Sequence, residues 1–300
     1  MSNTDHLHKF LFDNCDIRGE IVTLKQAYQQ VMENNPYPPS LQKLLGEFLA
    51  IAGLLSSTLK MDGKIIVQAQ GKGPVSTVMA ECTHHNEVRG IIRQNPDSEL
   101  TDELALNATL RELLGEGVIV ITIEPKRAEN FAGKLERYQG IVPMEADNLA
   151  ACIEHYFEQS EQLATRIWLS VNSQSVHGLM LQALPQQIAS AEVNAENWQT
   201  LVTLANTLKP TEVVQLNHLD ILYRLFHEQE LRVYEPRALH FACSCSEERC
   251  IQALVALGKN ELEDILAEKG SVDMDCQFCN QHYHFSAEKV RQLYQGVMLH

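Results

Sequence analysis

Two close pairs of cysteines, Cys243-x-Cys245 and Cys276-x-x-Cys279, take up four of the eight cysteines in the chain, with thirty residues between the pairs. Cys276 and Cys279 have the spacing of a zinc knuckle, in which two thiolates from one tight turn occupy adjacent corners of a tetrahedron. Cys243 and Cys245 stand closer together than the usual knuckle pair. Thiolates favour soft or borderline ions, and four of them with no open position describe a closed zinc site. The tail after Pro236 has few large apolar residues, and a unit of about 65 residues so composed needs a staple to fold. One Zn2+ per chain, held by Cys243, Cys245, Cys276 and Cys279 in the reduced state, answers that need.

Such a set supports two readings. One is a permanent structural staple. The other is a redox switch: zinc keeps sulfur as thiolate, the nucleophilic form, so an oxidant can attack one sulfur and the resulting sulfenic acid can condense with a near neighbour. Structural zinc contributes on the order of 10 kcal/mol or more to such a unit, comparable with a small domain's whole stability. Its loss should unfold the tail.

The rest of the composition narrows the class. Three hundred residues suggest about two domains, and 45% hydrophobic with 21% charged residues is ordinary for a globular chain. A net charge of -15 argues against a nucleic-acid partner, which asks for a basic face. The most apolar stretch, Phe48 to Leu59, is twelve residues flanked by Lys43, Glu47 and Lys60, too short for a membrane span of roughly 20, and reads as a buried helix. Met1 to Lys9 carries no secretory pattern, so a cytoplasmic location is expected and the cysteines should not form structural bridges.

From Ile17 to Leu184 short β-branched runs alternate with amphipathic stretches. Strands are predicted at Ile17–Leu24, Lys64–Gln70, Val75–Cys82, Glu87–Arg93, Gly117–Ile123, Arg137–Val142, Arg166–Val171 and Val176–Leu184. Tight turns such as Gly71-Lys72-Gly73-Pro74 and Thr83-His84-His85-Asn86 suit hairpins. Helices are predicted at Leu41–Lys60, Leu104–Leu114 and Glu145–Ser160. The class is therefore α+β: a mixed β-sheet body packed with helices, a helical linker, and a small C-terminal zinc-binding domain. The expected divisions are 1–184, 185–236 and 237–300.

In the linker, Trp198, Leu201, Val202, Ala205 and Leu208 form a helical stripe that Lys209-Pro210-Thr211 breaks, and Leu216 to Phe226 resumes an apolar helix. Short helices of this kind cannot bury their stripes alone and must lie on a neighbouring surface. In the tail, Ser246 and Asn260 are expected to cap two helices, the second ending at Gly270, followed by a strand at Tyr283–Phe285 and a helix after Ser286. His282 and His284 offer a less favoured Cys₃His alternative at the metal. Cys15, Cys82, Cys152 and Cys250 read as inert core thiols, and His84-His85 as an exposed turn. No G-x-S-x-G, phosphate loop or H-E-x-x-H occurs, so no enzyme is expected.

Taken together, Phe241-Ala242-Cys243-Ser244-Cys245-Ser246-Glu247-Glu248-Arg249, Leu257-Gly258, Cys276-Gln277-Phe278-Cys279-Asn280 and Tyr283-His284-Phe285 resemble the switch domain of the redox-regulated 33-kilodalton heat-shock chaperonin family (HslO). Gly71-Lys72-Gly73-Pro74, Val88-Arg89-Gly90, Tyr138 to Pro143, Tyr156 to Gln162 and Gly178 to Pro185 are similar to its body motifs, so the likeness spans nearly the whole chain. The resemblance implies an ATP-independent holdase, inactive when reduced and zinc-bound. Oxidation would form Cys243–Cys245 and Cys276–Cys279, release zinc and unfold the linker, whose stripe of Trp198, Leu201 and Leu208 would then meet unfolding client proteins. It further implies an active homodimer that passes clients to an ATP-driven chaperone system. The rivals are a constitutive zinc-ribbon adaptor and a thiol-disulfide oxidoreductase built on Cys276 and Cys279.

Overall fold

Antiparallel strands around one buried helix dominate the computed structural model, which describes residues 4–57, 59, 62–126 and 137–294. The chain begins with β1 (His6–Phe12) and β2 (Ile17–Leu24), then α1 (Gln26–Asn34) and α2 (Pro39–Ser56), then β3 (Gly63–Gly71), β4 (Val75–Thr83) and β5 (Glu87–Gln94). Next come α3 (Asp102–Leu106), α4 (Leu110–Leu114), β6 (Gly117–Pro125), β7 (Tyr138–Pro143), α5 (Leu149–Tyr156), β8 (Thr165–Val171) and β9 (Val176–Ala183). The predicted linker contains α6 (Ala191–Ala205), α7 (Pro210–Gln215), α8 (His218–Phe226) and β10 (Leu231–Val233), followed by β11 (Arg237–Ala238) and β12 (His240–Phe241). The tail holds α9 (Glu247–Leu257), α10 (Lys259–Lys269), β13 (Ser271–Asp275), β14 (His282–Ser286) and α11 (Ala287–Gln292).

Contacts divide the chain into two compact units, Met1–Ala242 and Cys243–His300. In the first, one antiparallel sheet runs β10-β1-β2-β9-β8, with β11 also on β1, and a second runs β12-β5-β4-β3-β6-β7, where β12 lies parallel to β5 and every other pair is antiparallel. The α+β class holds, with two sheets where one was expected. Helix α2 packs against β3, β4 and β5 of one sheet and β2, β8 and β9 of the other, which is why Leu41 to Leu55 is buried almost all round. A helix apolar on every side belongs in a core.

Period-two geometry gives the first sheet two buried faces. Val22, Leu24, Val176 and Met180 join the cluster around α2, whereas Ile17, Ile21, Leu179 and Leu181 point the other way, toward α6 and α8. Gly19 is needed at the β1–β2 crossing, because a Cβ there would lie 2.1 Å from the Phe10 ring. Strand β1 has no counterpart among the strands expected from sequence: buried His8 and the amine of Lys9 interrupt its apolar pattern, although Leu7, Phe10 and Phe12 are core residues.

Caps correct several element ends. The expected helix Leu104–Leu114 is two short helices, because Thr109 and Glu112 form a capping box that starts α4 afresh. The helix expected from Glu145 begins only after Asn148, whose side chain accepts from the Ala151 N–H, and passes into a π turn at Phe157–Glu161. Helix α2 ends at Ser56; Lys60, its expected end, lies outside the described residues. Asn260 does not cap α10, since Gly258, at φ 90°, turns the chain directly from α9 into α10. Pro210 opens the extra helix α7, and α8 starts at His218 behind an Asn217 cap rather than at Leu216. Ser246 and Ser286 cap as expected.

Candidate metal centre

The tail buries only six apolar side chains, Leu254, Leu262, Leu266, Val272, Phe285 and Val290, among the described residues. Strands β13 and β14 form a two-stranded ribbon, and between them Cys276 to Asn280 makes a tight turn. The Asn280 N–H donates to the Cys276 carbonyl at 2.7 Å, the Cys276 N–H donates to the Gln281 carbonyl at 3.0 Å, and Asn280 takes a left-handed φ of 55°. Asn tolerates that conformation better than most residues. The other pair precedes α9, where the Arg249 side chain donates to the Ser244 hydroxyl at 2.6 Å.

These two turns bring the predicted ligands together. Cys243 Sγ lies 3.5 Å from Cys276 Sγ and Cys245 Sγ lies 3.4 Å from Cys279 Sγ, and all four sulfurs fall within 4.8 Å of one another. Zinc–sulfur bonds of about 2.3 Å place tetrahedral sulfurs about 3.8 Å apart, so the set fits a closed tetrahedral site with little movement. All eight cysteines are free thiols. Burial pushes the Cys245 thiol up, but hydrogen bonds from the Tyr283 hydroxyl and the neighbouring thiols outweigh it and bring it down to about 7. Burial raises the Cys243 and Cys279 thiols, and hydrogen bonds with neighbouring thiols add to the rise.

Sequence spacing does not single out Tyr283 for a role at this site. Its hydroxyl donates to Cys245 Sγ at 3.2 Å from β14, tying the ribbon to the first cysteine pair. The only available signal is an aromatic hydroxyl four residues beyond a knuckle, on a strand doubling back toward it. His282 and His284 do not enter the thiol set: they face Asp275 and Asp273 across the ribbon and form a separate, exposed group. Cys15, Cys82 and Cys152 are buried and Cys250 is half-buried, with burial raising all four thiols.

The linker residues also have defined places. Leu201 is fully buried against the first sheet with Ala205, Leu222, Leu225 and Phe226, while Trp198 and Leu208 are half-buried at the same cluster. Asp16 anchors the start of this segment, accepting from the backbone of Ile188 and Ala189 and from the Asn194 amide. Burial raises its carboxyl, but those hydrogen bonds prevail and hold it down to about 2. Beneath α8 runs a buried chain of polar contacts: His8 Nδ1 to His218 Nδ1 at 2.8 Å, His218 Nε2 to Thr23 at 2.8 Å, Thr23 to His177 Nδ1 at 3.1 Å, and His177 Nε2 to Ser175 at 2.9 Å. A cleft of about 320 Å³ between sheet and linker, lined in part by Ile21, Trp168, Leu179, Leu208 and Val213, leaves that interface incompletely filled.

A family model described as Hsp33 protein matches residues 5–286. The 33 kDa chaperonin of Pseudomonas aeruginosa (strain LESB58) is 44% identical over 299 residues, covering 99% of this chain and 97% of that protein. The 33 kDa chaperonin of Serratia proteamaculans is 42% identical over 300 residues, again covering 99% and 97%. In fold, the crystal structure of the 33 kDa chaperonin (heat shock protein 33 homolog) from Thermotoga maritima matches with a TM-score of 0.79 at 24% identity, covering 97% of this chain and 98% of that one.

Proposed function

The chain belongs to the Hsp33 family of chaperones, and on that premise we propose that it is a redox-regulated, ATP-independent holdase. The observation that carries the reading is four convergent thiols in a unit that buries only six apolar side chains among its described residues. In the resting state Cys243, Cys245, Cys276 and Cys279 hold one zinc ion, which supplies the cohesion that so small a core lacks. An oxidant such as peroxide takes two electrons from each cysteine pair, two thiolates becoming one disulfide at each of Cys243–Cys245 and Cys276–Cys279. Disulfide sulfurs sit about 2.05 Å apart and have lost the anionic charge that binds a cation.

Pairing within each turn determines whether the unit stays tied together. Disulfides joining neighbours in sequence leave the α9 side and the knuckle side of the unit untied, whereas cross-pairs such as Cys243–Cys276 would keep them stapled. With neither metal nor cross-link, the unit unfolds. The chain then leads through β12 and β11 to residues 185–236, which act as a metastable linker. The open cleft beneath Leu208 and Val213 supports weak docking, since the linker leaves part of the apolar sheet face accessible to water. Undocked, Trp198, Leu201 and Leu208, together with the sheet face around Phe10 and Phe12, offer apolar surface to unfolding clients. The oxidised form works as a homodimer in the cytoplasm and hands clients to an ATP-driven chaperone system.

Peroxide or hypochlorite treatment, read by zinc release and by suppression of client aggregation, tests the reading. Gain of holding activity together with zinc loss supports it. A constitutive zinc-ribbon adaptor would gain no holding activity. A thiol-disulfide oxidoreductase would reduce insulin disulfides catalytically at substoichiometric amounts; against that rival, Cys276 and Cys279 lie in a ribbon turn rather than at a helix N-terminus.

A further inference from the structure

The exposed face of the β13–β14 ribbon carries a second group of metal-binding side chains. Register pairs Asp273 with His284 and Asp275 with His282, and residues two apart on a strand share a face, so two imidazoles and two carboxylates stand together. Both rings converge on one oxygen: His284 Nδ1 lies 2.7 Å and His282 Nε2 3.3 Å from Asp273 Oδ1. His282 Nδ1 meanwhile donates to Asp275 Oδ1 at 2.8 Å. In the charged ring both nitrogens donate to carboxylates, whereas in the neutral ring that bond holds the proton on Nδ1 and frees Nε2 to bind a cation placed between it and Asp273.

Cross-strand pairing by itself gives each ring its own carboxylate, His284 with Asp273 and His282 with Asp275. Here one carboxylate is shared by two rings, and a second carboxylate orients one of those rings from behind. Carboxylate–histidine–metal sites use the same arrangement, in which the outer carboxylate fixes the tautomer and raises ligand basicity. We propose that Asp273, His282 and His284, with Asp275 behind His282, form a second site for a divalent transition-metal ion of the zinc class, separate from the four thiols. Imidazole and carboxylate donors suit zinc, nickel and cobalt, and three donors leave coordination open to water. With fewer ligands and full solvent exposure, the site binds more weakly than the thiolate set. It does not rest on the redox reading, because none of its donors is a sulfur.

The test is a calorimetric zinc titration of the full-length reduced protein already holding one tight equivalent. A second, weaker equivalent is expected, accompanied by shifts of the His282 and His284 ring resonances. His284→Asn and Asp273→Asn should each weaken that second equivalent at least tenfold, and Asp275→Asn by about 10- to 100-fold, with the tight equivalent retained as evidence of folding. These side chains are exposed, and two direct-ligand variants are read so that a folding failure in one leaves the other. A single equivalent up to millimolar zinc, or a second one that none of the three substitutions changes, would overturn the proposal.

Discussion

The Tyr283 hydroxyl favours the thiolate of Cys245 by donating to its sulfur at 3.2 Å. Outer groups of this kind commonly change metal affinity 10- to 100-fold when removed. Tyr283→Phe should therefore weaken zinc binding by about tenfold in competition with a colorimetric chelator; unchanged affinity would mean that the contact is incidental. Gly19 acts through space rather than charge. Adding one methyl against the Phe10 ring should cost about 1–3 kcal/mol, so Gly19→Ala should lower the urea midpoint of the first unit. At this scale the four cysteines are legible in the sequence because their chemistry lies in local spacing. Tyr283 is not, because its role appears only when β14 folds back beside Cys245.

At the scale of elements, α8 docks on the first sheet through its apolar face and through a chain of histidines whose burial disfavours the charged rings. Burial, reinforced by His8, His177 and His6, lowers His218 to about 3, and burial lowers His177 to about 4. Both rings take up protons near pH 6.5 when unfolded but resist them when folded, so docking is fully stable above about pH 6.5 and weakens as pH falls toward about 3. Each ring contributes up to about 1.4 kcal/mol per pH unit over that window. The Trp fluorescence midpoint in urea should fall accordingly on acidification, and His218→Gln should flatten the slope; an unaltered slope would place the sensitivity elsewhere. Trp198→Glu sets a charge at the half-buried edge of the same interface and should let the protein hold clients after less oxidant, as read by client light scattering. The linker's helices are visible in the sequence as apolar stripes. Their partner is visible only in part: β2 and β9 are predicted as strands, but β1 hides its pattern behind His8 and Lys9, and neither Asp16 nor the histidine chain has any local signature.

Across the whole chain, two units of different cohesion coexist. The first rests on a helix buried between two sheets and on an outer sheet face covered by the linker helices. The second has six buried apolar side chains among its described residues and four convergent thiols. Alternating strands and turn residues give away the α+β class, but a second sheet depends on long-range pairing that no window of sequence contains. In the proposed switch the small unit, with its few buried apolar side chains, is the one that depends on a cation to stay folded. The most direct test follows zinc release, disulfide mapping by mass spectrometry and client holding in one oxidant titration of the reduced protein. The account predicts that about one zinc per chain leaves as Cys243–Cys245 and Cys276–Cys279 form and holding activity rises. Retention of zinc with those disulfides in place, or holding activity at full strength before any zinc leaves, would contradict it.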